Sequence, residues 1–211
     1  MFKAIPTLSL LALLTVGGVL AVCGQEAARP KPANVKELLA RLQSATASLQ
    51  DYTVNATTTF GGRSLRLKIV YKRPNLVRID TPIGQASVQP NGDIKGRLGH
   101  GPLGKRAFKI DRNEKRLRDA EGIPFYQMDF PSMLARVQEQ IKEGAAATMT
   151  ADANAYRLEI HSGDTTWEYA FAPNDFSLLE NSRWVKGKQA QITRYSDFQP
   201  NTGIQTDYFR F

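Results

Sequence analysis

The sequence predicts an α+β fold, a single curved antiparallel sheet of about ten strands covered by two helices. Three observations predict it. Most of the chain alternates apolar and polar residues with a period of two. The links between these runs are short and rich in Gly, Pro, Asn and Asp, which implies antiparallel neighbours. Only two segments carry the three-to-four-residue apolar spacing of a helix. Across 211 residues, 42% are hydrophobic and 23% charged, which excludes general disorder and fits one domain.

Val35–Leu49 is the first helix. Val35, Leu38, Leu39, Leu42, Thr46 and Leu49 fall on one face, with Asn34 as N-cap and Glu37 three residues later. The period then changes to two. Strands are expected at Tyr52–Phe60 and Ser64–Lys72, joined by Gly61-Gly62. In the second, Leu65, Leu67, Ile69 and Tyr71 share a face, opposite Arg66, Lys68 and Lys72. Pro74 and Pro82 bracket a third strand holding Val77, Ile79 and Thr81. Strands at Gln85–Gln89 and Asp93–Leu98 flank the hairpin pair Asn91-Gly92.

From Gly99 to Pro131 the pattern is irregular, with one strand at Ala107–Ile110. A second helix runs from about Pro131 to Glu143, between Pro131 in its first turn and Gly144 as its stop. Its apolar face is Met133, Leu134, Val137 and Ile141. Strands follow at Tyr156–His161, Thr165–Phe171, Leu178–Lys186 and Gln189–Phe198, with a last short one at Asp207–Phe211. The simplest burial wraps the sheet around both helices. A space left between sheet and helices suits an apolar ligand.

Residues 1–22 read as a secretory signal peptide: Lys3, then an apolar run from Ile5 to Val22. A retained membrane helix is the alternative, because the run sits at the lower edge of spanning length. Cys23 is the sole cysteine. Leu20-Ala21-Val22-Cys23-Gly24 resembles a bacterial lipobox, in which the cysteine is acylated, although Val22 replaces the usual small residue. Lipidation at Cys23 and plain cleavage nearby both place the domain outside the cytoplasm. Residues 23–33, with Pro30 and Pro32, form a linker, and residues 34–211 form the domain.

One cysteine excludes an intramolecular disulfide and a Cys-based metal site. The two histidines, His100 and His161, lie far apart and outside metal-binding spacings. No cofactor is expected. Gly99–Lys105 matches the first seven positions of a phosphate-binding loop, but Arg106 replaces its Ser or Thr and a strand follows instead of a helix. There is no Gly-x-Ser-x-Gly elbow. No constellation for catalysis is visible, so the chain is expected not to be an enzyme.

The net charge is +8, and residues 93–118 hold nine Lys or Arg against three acids. A solvated hairpin face explains such a cluster. Docking to anionic lipid or to a membrane-protein partner also explains it, each basic residue contributing on the order of 1 kcal/mol near such a surface. Nucleic acid is not expected, because the leader implies export.

Lys72-Arg73-Pro74-Asn75-Leu76 resembles the signature of the outer-membrane lipoprotein carrier and receptor superfamily (LolA/LolB-like). Tyr52-Thr53, the loop Asp119–Phe125, and the end from Asn201-x-x-Ile204 to Phe209-Arg210-Phe211 are similar to that superfamily's sequences. The resemblance implies a half-open β-barrel lidded by helices. It implies a hydrophobic cavity for lipoprotein acyl chains or other lipid, lined by Leu38, Leu42, Leu65, Leu67, Ile69, Met133, Leu134 and Val137. Arg73 takes the place of the arginine that ties sheet to lid. The expected role is carrier or receptor in lipoprotein sorting, in the periplasm or anchored to the outer membrane. An envelope-stress or regulatory protein sensing a protein or lipid is the alternative for the same fold.

Overall fold

The computed structural model describes residues 31–99, 106–112, 114 and 123–211. Helix α1 spans Val35–Ser48. Asn34 caps it, its Oδ1 accepting the Glu37 amide at 3.0 Å, while the Glu37 carboxylate turns back to accept the Ala33 amide at 2.8 Å. The first bond satisfies a donor that a helix start leaves unpaired, and the second fixes the chain that enters the helix. Arg41, one turn on, pairs with Glu37. Helix α2 spans Phe130–Lys142. Its N-cap is Asp129, a residue the sequence pattern did not single out, and Pro131 sits in its first turn as expected. Gly144 follows at φ +99°, a left-handed conformation that ends the helix and that glycine adopts without a Cβ clash.

Eleven strands form the sheet. The first six are β1 (Asp51–Phe60), β2 (Arg63–Lys72), β3 (Leu76–Thr81), β4 (Gly84–Val88), β5 (Ile94–Leu98) and β6 (Phe108–Ile110). After α2 come β7 (Ala146–Ala151), β8 (Tyr156–Ser162), β9 (Thr165–Phe171), β10 (Leu178–Val185) and β11 (Lys188–Pro200). The spatial order is β6-β5-β4-β3-β2-β1-β11-β10-β9-β8-β7, antiparallel throughout. Each helix therefore precedes one meander, and the two meanders join where β1 pairs with β11. Ala56 there lies opposite Tyr195. The register shifts between Thr53 and Asn55, where Asp197 takes φ +55° and its carboxylate accepts the Asn55 side-chain amide at 2.8 Å. The sheet is open, with β6 and β7 at its edges.

One core lies between the sheet and the helices. Leu38 and Leu42 of α1 join Met133, Leu134 and Val137 of α2 there. They pack with Ile69 and Tyr71 of β2, Val88 of β4, Leu158 and Ile160 of β8, and Phe171 of β9. Strands from both halves of the sheet thus share a single cluster with both helices, which is the wrapped arrangement the pattern predicts. Each such apolar side chain contributes about 1.5–3 kcal/mol relative to exposure.

The chain departs from the sequence reading in two elements. Strand β7 was not expected: Ala-Ala-Thr-Met-Thr-Ala carries too few large apolar residues to show alternation. It forms because β8 offers it a full edge, from Ala146 opposite His161 to Ala151 opposite Tyr156. The expected last strand, Asp207–Phe211, is corrected: Thr206–Phe209 is a 3-10 turn. Its Phe-x-Phe alternation reflects packing on the sheet's outer face. Phe209 is fully buried there, and its carbonyl accepts from Ser87 Oγ at 2.9 Å and Gln89 Nε2 at 2.6 Å. The Arg78 guanidinium lies 4.7 Å from the centre of the Tyr208 ring and 5.0 Å from that of Phe211. Its own turn bonds and side chains of the sheet, not a neighbouring strand, satisfy this segment's backbone.

Candidate apolar binding face and adjoining cleft

The eight residues expected to line a cavity divide into two groups. Leu38, Leu42, Ile69, Met133, Leu134 and Val137 are buried in the core. They belong to one packed cluster. Beside Met133 lies a gap of about 20 Å³, lined also by Tyr52, Val54, Ile69, Phe130 and Tyr195. That holds about one water molecule. Leu65 and Leu67 are different. They lie on the same face of β2 as Ile69 and Tyr71 and are half-buried, Leu67 packing against the core. Phe60, across the β1–β2 hairpin, is 40% exposed. The inner face of the sheet thus continues from a packed core into a partly exposed apolar strip.

Arg73 sits at the end of β2, where the strand turns toward Pro74. Its Nε donates to the Leu49 carbonyl at 2.5 Å and its terminal nitrogen to the Thr46 carbonyl at 2.8 Å. Its own amide donates to the Gln50 carbonyl at 2.8 Å. The carbonyls at the last turn of a helix have no internal partner, and a cation is favoured there. The arginine therefore ties the sheet to the C-terminal end of α1. The resemblance implied a role for Arg73 between sheet and lid; the bonds observed run to the end of α1.

The second helix is tied by a different group. Phe130, its first residue, donates its amide to the Tyr52 hydroxyl of β1 at 2.8 Å, in the buried interior. Asp129 stands next to it, 3% exposed. Its two carboxylate oxygens accept the Ser132 amide at 2.9 Å and the Ser132 hydroxyl at 2.7 Å. Burial pushes the Asp129 carboxyl above its usual range, opposed by the Ser132 bonds and the charge of Arg136. Burial likewise raises the Tyr52 and Tyr71 hydroxyls, helped by the nearby charge of Asp129.

In front of Asp129 lies a cleft of about 310 Å³. Val77 and Val88 of the sheet, Tyr71, Pro74, Tyr126 and Pro131 line it with apolar or aromatic surface, and Arg112 reaches it. Two residues of the Lys-Arg-Pro-Asn-Leu signature, Pro74 and Asn75, are on its wall. The sequence signal for this cleft was that signature, although its expected role was at the helices.

Among the described residues no group of three or more His, Cys, Asp or Glu is placed to hold a metal ion. His161 is exposed on β8, its Nδ1 3.0 Å from Thr166 Oγ1 and its Nε2 3.3 Å from Glu159. Cys23, the leader and the linker up to residue 30 lie outside the described residues, as do His100, Lys105, Lys115, Arg116 and Arg118. Of the basic cluster, Lys109 is described as pairing with Asp93 at 2.9 Å.

No protein-family model matches the chain. No curated protein sequence matches it. Solved structures do. A conserved protein of Thermus thermophilus superposes with a TM-score of 0.53 at 11% identity, covering 83% of this chain and 92% of that one. The crystal structure of MucB superposes at 0.50 and 11% identity, covering 83% of this chain and 62% of MucB. A LolA superfamily protein from Nitrosomonas europaea superposes at 0.36 and 8% identity, covering 84% and 98%. At 11% identity the likeness to the first two is one of fold: an open antiparallel sheet that carries helices on one face.

Proposed function

We propose that the chain is an exported, non-enzymatic binding protein that holds the acyl chains of a lipid or lipoprotein against the inner face of its sheet. It would serve as carrier or receptor in lipoprotein sorting, in the periplasm or anchored through Cys23. The observation that carries this reading is the apolar strip of Leu65, Leu67 and Phe60, continuous with the core under both helices. An acyl chain laid there gains roughly 25 cal/mol for each Å² of apolar surface it removes from water. Deeper entry requires the helices to move outward, and the ties through Arg73 and Tyr52 would set the ease of that movement. The basic cluster at 93–118 supports approach to an anionic membrane or a membrane-protein partner.

A second reading is favoured by one observation, the filled interior beside Met133. A face already packed by its own side chains suits a regulatory protein that senses a partner protein on its surface. MucB, which shares the fold, has been solved in complex with MucA(peri).

Native mass spectrometry of the protein purified from a bacterial periplasm, with lipid extraction, separates the two. Co-purified lipid or acylated peptide, lost in a Leu65→Asp, Leu67→Asp double variant that still folds, is the expected result. A protein that stays empty when offered fatty acids and lipopeptides would sink the acyl-binding reading.

A further inference from the structure

We propose that the cleft in front of Asp129 is a site for a small zwitterion, an ammonium joined by a short chain to a phosphate, of the phosphoethanolamine class. Three observations carry it. First, the cleft's volume of about 310 Å³ is at the lower end of the range of small-molecule sites, about 300–1,000 Å³. Second, a buried carboxylate borders it, its two oxygens accepting the Ser132 amide and hydroxyl. An N-cap needs one acceptor, which Asn34 supplies to α1 without a charge. No ion pair to Asp129 forms among the described residues. Arg136, the cation nearest in sequence, donates instead to the Gln127 carbonyl at 2.6 Å. A buried carboxylate without a paired cation is costly, and an ammonium offsets that cost.

Third, the walls suit such a group. Tyr71 and Tyr126 present aromatic surface to the cleft, and ammonium groups are attracted to aromatic faces. The Arg112 guanidinium already lies 5.8 Å from the centre of the Tyr126 ring. Arg112 also decides the rest of the ligand. A simple cation would meet Arg112 as well as Asp129, and a simple anion would meet Asp129. A molecule with both charges satisfies both, its ammonium toward Asp129 and its phosphate toward Arg112, where charge-assisted bonds are strongest. Such a group exists free and as a lipid headgroup. The headgroup is the source implied by the acyl-binding reading, and in that respect the inference rests on it.

The test is calorimetric titration of the purified protein with O-phosphoethanolamine, ethanolamine and inorganic phosphate. The expected result is saturable binding of O-phosphoethanolamine at least tenfold tighter than of either part. Asp129→Asn, which keeps the cap acceptor, and Arg112→Gln should each weaken it at least tenfold while thermal unfolding stays cooperative. Equal binding of the parts and the whole, or unchanged affinity in Asp129→Asn, overturns the proposal. A soluble short-chain phosphatidylethanolamine in place of the free compound identifies the source: tighter binding marks the headgroup, weaker binding the free zwitterion. Fatty-acid uptake, measured separately, keeps the two readings apart. The zwitterion site fails alone when uptake is normal and titration is flat. The acyl-binding reading fails alone when titration succeeds and uptake is absent.

Discussion

The Tyr52 hydroxyl accepts the amide hydrogen of Phe130 at 2.8 Å, so the central strand holds the first residue of α2. That amide belongs to the helix turn that has no internal acceptor, and it lies in a buried environment. Tyr52→Phe leaves it unsatisfied. The expected loss is about 1–3 kcal/mol of stability. Urea unfolding of the two proteins measures it, and an unchanged midpoint would show that another acceptor replaces the hydroxyl.

Arg73 makes a fork that lysine cannot copy. Arg73→Ala should cost about 1–2 kcal/mol, since its two side-chain bonds to α1 carbonyls are charge-assisted but partly exposed to water. Arg73→Lys should recover less than half of that, because an ammonium on a flexible stem does not hold two carbonyls in a plane. Hydrogen exchange at the last turn of α1 should accelerate in both variants more than exchange in β8.

Buried and half-buried leucines should separate stability from binding. Leu42→Ala removes a fully buried side chain between sheet and helices and should cost about 2–5 kcal/mol. Leu67→Ser, at a half-buried site on β2, should cost about 1 kcal/mol or less while weakening lipid uptake. Equal destabilisation by the two would mean that the strip near Leu67 is core.

Asp129 should impose a pH dependence with a definite sign. Burial raises its folded-state pKa above the unfolded value. Between those two values the folded protein binds more protons than the unfolded chain, so stability falls as pH rises through that window. The contribution is fully present below the usual carboxylate range and lost above the raised value. Asp129→Asn should therefore flatten this part of the profile and gain relative stability at pH 7 over pH 4. A larger pH slope in the variant would contradict the assignment.

The architecture was legible where side-chain size reported the strand period. Leu65, Leu67, Ile69 and Tyr71 marked one face of β2, and Asn91-Gly92 marked the turn between β4 and β5. Strand β7 was hidden because alanine and threonine carry almost no hydrophobic contrast, and its pairing with β8 is a tertiary fact. The segment at Tyr208–Phe211 misled in the opposite sense, since its alternation arises from packing under Arg78. For the candidate site, the signature around Arg73 and the apolar helix faces were visible. What periodicity could not tell was that Leu38, Leu42 and Val137 are fully buried, whereas Leu65 and Leu67 are half-buried. Asp129 was missed because one carboxylate in a sequence gives no sign of its burial; the run Asp129-Phe130-Pro131-Ser132 before an apolar helix was the available hint.

The pairing of β1 with β11 has a consequence for how the molecule comes into being. Strands β1 to β6 can zip together from neighbours in sequence, and so can β7 to β11. The seam between them joins residues far apart in the chain, such as Ala56 and Tyr195. Contacts of such long range carry a large loop-closure entropy and slow the reaction that forms them. The single core beneath both halves cannot be completed until β11 is available. The strand made last is therefore the one that closes the seam between the two half-sheets.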